Sequence, residues 1–255
     1  MEGDASVGSF SGNRMKNKLI MLLSVLMCFV SNSGAETVIY LDKFDGAAGD
    51  VLNGQAPDVS LIDGATWQSG TSGEPWMADG TITLRRQSSN AFLPFVPESG
   101  KVYSLSFEVC PEGPLGAGFI SLGFAGTNAV DEAFVGKEAM VSPWMYVNHD
   151  WIINPRSRLA DESNETKKIT RTYRTYLGPG NFEGIPPKEA YGEWISTEIT
   201  LDTREDIWSV KWFVNGECIR AGKYEETPDI HYVGIGRFRE VSGTVDHFKL
   251  SIVSE

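Results

Sequence analysis

From Glu36 onward, apolar and polar residues alternate with a period of two rather than 3.6. In 101–109 (KVYSLSFEV), Tyr103, Leu105, Phe107 and Val109 alternate with Ser104, Ser106 and Glu108, the pattern of a half-buried strand with one wet face. The same reading predicts strands over 37–44, 80–86, 91–96, 118–126, 139–147, 168–177, 193–201, 207–215, 217–222, 231–238 and 243–253, separated by Gly, Pro, Asn and Asp. The nearest approach to an amphipathic helix, 128–139 (NAVDEAFVGKEA), is interrupted by Gly136. Many short strands with glycine-rich turns predict an all-β fold, a two-sheet antiparallel β-sandwich. No repeat or Pro/Ser linker divides the region, so 36–255 is expected to be one domain.

One hairpin can be read in register. Asn215-Gly216 supplies the two positive-φ residues of a tight turn. Pairing then sets Val214 opposite Glu217, Phe213 opposite Cys218 and Trp212 opposite Ile219. Val210, Trp212, Val214, Ile219 and Ala221 are expected on the core face, with Lys211, Phe213, Cys218 and Arg220 on the other.

The N-terminus breaks this pattern. Residues 15–35 (MKNKLIMLLSVLMCFVSNSGA) place Lys16 and Lys18 before a largely apolar run, 19–30, and close on Ser33-Gly34-Ala35. That is the layout of a secretory signal cut ahead of Glu36, so residues 1–35 are expected to be an N-terminal extension and signal peptide. As a helix the run rises only about 18 Å, short of a hydrocarbon core of about 30 Å, so no stable membrane insertion follows cleavage. Met27 before Cys28 is too large for a lipoprotein site. The expected location is secreted or extracytoplasmic, in the periplasm or on the outer surface.

Charge then narrows the partners. The full chain carries a net charge of −12 from 22 basic and 34 acidic residues. Removing 1–35 takes away Arg14, Lys16, Lys18, Glu2 and Asp4, leaving 19 against 32, a net charge of −13. Such a surface repels phosphate backbones and excludes nucleic acid as a partner. Two cysteines remain, Cys110 and Cys218; an oxidising compartment permits one bridge, and two separate thiols are the alternative.

The string WSVKWFVNGECI, with IHYVGIGRF and the closing GTVDHFKLSIV, resembles the C-terminal half of concanavalin A-like jelly-roll domains, including the laminin-G-like modules of secreted bacterial proteins. The opening VIYLDKFDGAAGDVLNG is similar to their first strand and loop. The resemblance implies a jelly-roll sandwich whose members include lectins, glycan-binding modules, hydrolases and lyases.

Against that background the chain shows no glucanase signature of the Glu-x-Asp-x-x-Glu type. In 193–202, Glu193 and Glu198 fall on opposite strand faces, while Glu198 and Asp202 share a face about 13 Å apart. The Gln-x-His and Tyr-Phe-Lys-x-Gly-x-Tyr patterns of alginate-lyase sandwiches are absent; 168–177 offers only Arg171 with Tyr173 and Arg174 with Tyr176. His149, His231 and His247 lack zinc-ligand spacing. A structural Ca2+ is better motivated: first and last strands commonly pair in jelly rolls, which would bring Asp45 near Asp246. Turn aspartates capping backbone amides are the plainer reading.

Aromatic stacking on sugar rings is the remaining chemistry. Residues 142–156 concentrate Trp144, Tyr146, His149, Asp150, Trp151, Asn154 and Arg156, with Trp144 and Tyr146 on one strand face. Trp67 and Trp76 stand in Gly/Ser-rich loops, where large apolar groups are less expected. The expectation is a non-catalytic module that binds a glycan or another extracellular polymer. The alternatives are a glycoside hydrolase or polysaccharide lyase on the same sandwich, or a structural cell-surface domain without a small ligand.

Overall fold

The computed structural model describes residues 36–70, 76–78, 80–84, 90–112, 119–128, 130, 143–148, 152–156, 159–160, 194–224, 226–238 and 242–254. Among them every regular element is a strand, arranged in two antiparallel sheets. The larger sheet runs β11 (Leu159–Ala160), β14 (Glu217–Tyr224), β13 (Ser209–Val214), β12 (Ile195–Asp202), β7 (Val102–Glu112), β16 (Ser242–Ile252), β1 (Thr37–Asp42), β2 (Val59–Ser60). Strand β5 (Thr81–Leu84) also pairs with β16, and β4 (Trp76–Ala78) with β5. The second sheet runs β10 (Ile152–Arg156), β9 (Trp144–Asn148), β8 (Phe119–Ala125), β15 (Tyr232–Phe238), β6 (Asn90–Pro94), β3 (Gln68–Ser69). In β4, β9, β10 and β11 the description covers the backbone only. The expected strand 168–177 and the signal segment 1–35 lie outside the described residues.

Alternation puts one row of each strand into the space between the sheets. Tyr103, Leu105, Phe107 and Val109 of β7 meet Ile120, Leu122 and Phe124 of β8 and Val233 and Ile235 of β15 in one buried core. Burial of this kind contributes roughly 25 cal/mol per Å2 of apolar surface. Tyr40 crosses the core and donates its hydroxyl to the Pro94 carbonyl at 2.6 Å, tying the two sheets together.

Two bulges alter the faces read from the sequence. In the hairpin Asn215 and Gly216 do have positive φ (48° and 79°), and Val214 pairs with Glu217 and Phe213 with Cys218. The register then shifts, so Trp212 faces Arg220 rather than Ile219. Beyond the extra residue every position changes face, and Ala221, expected in the core, is paired with Lys211 and exposed. The second bulge lies in β16 between Asp246 and Lys249, with His247 at φ 51°. It keeps Val245, Phe248 and Leu250 all on the core side, which strict alternation could not do.

Trp67 fills the core from a loop. It belongs to the core at 1% exposure, because its ring packs on Phe248 with centroids 4.9 Å apart and its indole N–H reaches Asp42. No disulfide joins Cys110 and Cys218. They stand on β7 and β14, with β12 and β13 between, about 14 Å apart across the sheet and far beyond bridging distance.

Candidate functional site

The register of β9 decides what the aromatic cluster can do. Met145 and Val147 pair with the core residues Leu122 and Ile120. Trp144 and Tyr146 pair with Gly123 and Ser121, on the face of the six-stranded sheet that points away from the core. On the other side β10 sets Arg156 opposite Trp144 and Asn154 opposite Tyr146. Paired residues share a face, so two aromatic positions, a guanidinium position and an amide position form one block. The side chains of these four, and His149, Asp150 and Trp151 altogether, lie outside the described residues.

Next to the block, the sheet surface is small and sheltered. Gly123 pairs with Gly234, and Ser121 with Gly236, so four adjacent outward positions carry almost no side chain. Gly234 is needed there, since a Cβ would lie 2.7 Å from Phe92 Cδ1 and 2.6 Å from the Ala91 carbonyl oxygen. Ser121 is fully buried, and its Oγ has no hydrogen-bond partner among the described residues. A hydroxyl left unmet in a sheltered place costs about 1–3 kcal/mol.

On the outer face of the larger sheet, the two carboxylates of β12 are engaged. Glu198 accepts from Ser104 Oγ at 2.6 Å, and Asp202 forms a salt bridge with Arg204 at 2.7 Å. The Arg204 contacts hold the Asp202 carboxyl below the usual carboxylate range. These two carboxylates are structural partners of their neighbours.

The first and last strands do pair, β1 with β16. Asp246 has Glu108 and His247 as neighbours, one ligand atom of each lying within 4.8 Å of the others. Asp45 is not among them; its Oδ1 lies 3.4 Å from where a Cβ on Gly80 would stand. The register pairs Glu108 with Asp246 across β7 and β16, a juxtaposition that sequence spacing could not reveal. Asp42, the last residue of β1, is buried and occupied by Trp67 Nε1 and the Phe44 N–H.

No family model and no curated protein sequence matches the chain. Among solved structures it is similar to an endo-1,3-beta-glucanase from Streptomyces sioyaensis, at 12% identity and TM-score 0.50, over 86% of this chain and 97% of that one. It is also similar to the carbohydrate recognition domain of Emp47p, at 12% identity and TM-score 0.49, over 84% and 97%. A third is a protein of unknown function with a galectin-like fold from Bacillus subtilis, at 10% identity and TM-score 0.44, over 86% and 98%. At these identities the likeness concerns fold. With the pairing of β1 on β16 and the two antiparallel sheets, the likeness to the glucanase gives the chain the fold of a concanavalin A-like jelly-roll β-sandwich.

Proposed function

We propose that the protein is an exported module that binds a neutral or weakly acidic glycan on the outer face of its six-stranded sheet. The observation that carries this reading is the register that sets Trp144 and Tyr146 on that face, beside Arg156 and Asn154. Aromatic faces take pyranose rings by apolar contact, while a guanidinium and an amide hold hydroxyl or carboxylate groups. The net charge of −12 weighs against strongly anionic polymers. The apolar run 19–30 supports export, and N-terminal sequencing of the exported chain tests it by a start at Glu36.

The test is retention on a panel of immobilised glycans with product analysis. Retention without depolymerisation is expected. Trp144→Ala combined with Trp151→Ala should weaken it about tenfold, whereas Trp194→Ala, an exposed tryptophan at the start of β12, should not. Depolymerisation would replace the binding role with a hydrolase or lyase, and silence on every glycan would favour a structural module.

A further inference from the structure

We propose that the bulge in β16 builds a surface site for a divalent cation of the zinc type, held by Glu108, Asp246 and His247. The site lies on the larger sheet and does not depend on the glycan reading. The extra residue in β16 turns His247 into the left-handed region, φ 51°, and brings its imidazole back over the strand. His247 Nδ1 then stands 2.8 Å from Asp246 Oδ2 and 3.8 Å from Glu108 Oε2. The His247 N–H holds Asp246 Oδ1 at 2.6 Å, which fixes that carboxylate with its second oxygen toward the ring.

Ligands about 2.0–2.2 Å from a tetrahedral zinc ion are separated from one another by roughly 3.3–3.6 Å. The present spacings of 2.8 and 3.8 Å, all within 4.8 Å, bracket that value. Glu108 and His247 are about half exposed, so small side-chain rotations complete the fit and leave a fourth position open to water. Electrostatics point the same way. Asp246 and Glu108 are direct cross-strand partners, and like charges so placed repel. The nearby Lys249 ammonium is engaged by Glu36 at 2.9 Å. A doubly charged ion would neutralise both carboxylates where they now face each other across the strands. An imidazole nitrogen in the set favours zinc-like ions over Ca2+ and Mg2+, which prefer oxygen alone.

The full chain, stripped with chelator, is titrated calorimetrically with ZnCl2 and separately with CaCl2 at pH 7.5. One zinc per chain is expected, with no calcium heat. His247→Asn, which tolerates the left-handed backbone, and Glu108→Gln should each weaken zinc at least tenfold, with circular dichroism unchanged. His231→Gln should leave it unaltered. Absence of zinc heat overturns the proposal. So does zinc binding that survives both ligand variants, or calcium binding in preference to zinc.

Discussion

Trp67 donates its indole N–H to Asp42 Oδ2 at 2.6 Å, inside the core and across twenty-five residues of chain (|i−j| 25). Burial pushes the Asp42 carboxyl up to about 6; the bonds from Trp67 and Phe44 oppose this, and the negative Asp58 and Asp45 add to it. Asp42 therefore joins the end of β1 to the loop carrying Trp67 while resisting ionisation.

A pH dependence follows. The folded state keeps the Asp42 proton up to about 6, whereas the unfolded chain releases it near 4. The folded state thus binds more protons between these values, and stability from this group falls as pH rises through the window. It is fully present below about 4 and lost above about 6. Asp42→Asn keeps an acceptor for Trp67 but cannot ionise. In urea unfolding, the wild type should lose roughly 2–3 kcal/mol relative to Asp42→Asn between pH 4 and pH 7. A constant difference across that range would contradict the assignment.

Gly234 supplies a second prediction. Its missing Cβ would meet the Ala91 carbonyl oxygen at 2.6 Å and Phe92 Cδ1 at 2.7 Å. Backbone oxygen cannot retreat as a flexible side chain can, so Gly234→Ala should cost about 1–3 kcal/mol by overpacking. Gly54→Ala makes a useful contrast: φ is 81° but nothing lies within 4 Å, so its cost of about 1–2 kcal/mol is conformational. Thermal unfolding of both separates the causes. Gly234→Asn should lose more than Gly234→Ala, whereas Gly54→Asn, a residue tolerated in the left-handed region, should lose less than Gly54→Ala.

Cys110 and Cys218 give a third. With two strands between them, neither can reach the other without dismantling the sheet. Alkylation of the denatured protein without reductant should label both positions, as read by peptide mass. Cys218→Ser, on the exposed outer side, should move the urea midpoint by less than about 0.5 kcal/mol equivalent. A linked peptide pair would refute the pairing of β13 between β12 and β14.

The sandwich was legible because alternation is a local property. Tyr103 to Val109 announce their faces without reference to any other strand. The bulges were not read, although one left a trace: Val245, Phe248 and Leu250 break the two-residue step once, where an extra residue must sit. Trp67 could not be assigned to the core from its Gly/Ser-rich surroundings, since its partner Asp42 belongs to another segment. The meeting of Glu108 with Asp246 is similarly set by strand order. For Trp144 and Tyr146, sequence supplied a shared face, and only pairing with β8 showed that this face is the outer one.

The hairpin turn yields the last prediction. Asn215 Oδ1 accepts the Ser196 N–H at 3.0 Å, and the Asn215 N–H donates to the Ser196 carbonyl at 2.8 Å, so the turn is tied to the start of β12. Gly216 has φ 79° with nothing within 4 Å of a Cβ. Gly216→Ala should therefore cost about 1–2 kcal/mol by left-handed strain alone. Asn215→Gly keeps the turn conformation and removes only the side-chain acceptor, for roughly 0.5–1.5 kcal/mol. Asn215→Ala loses both and should exceed Asn215→Gly in urea unfolding. Equal losses for those two variants would mean that the side-chain bond, not the backbone, sets the turn.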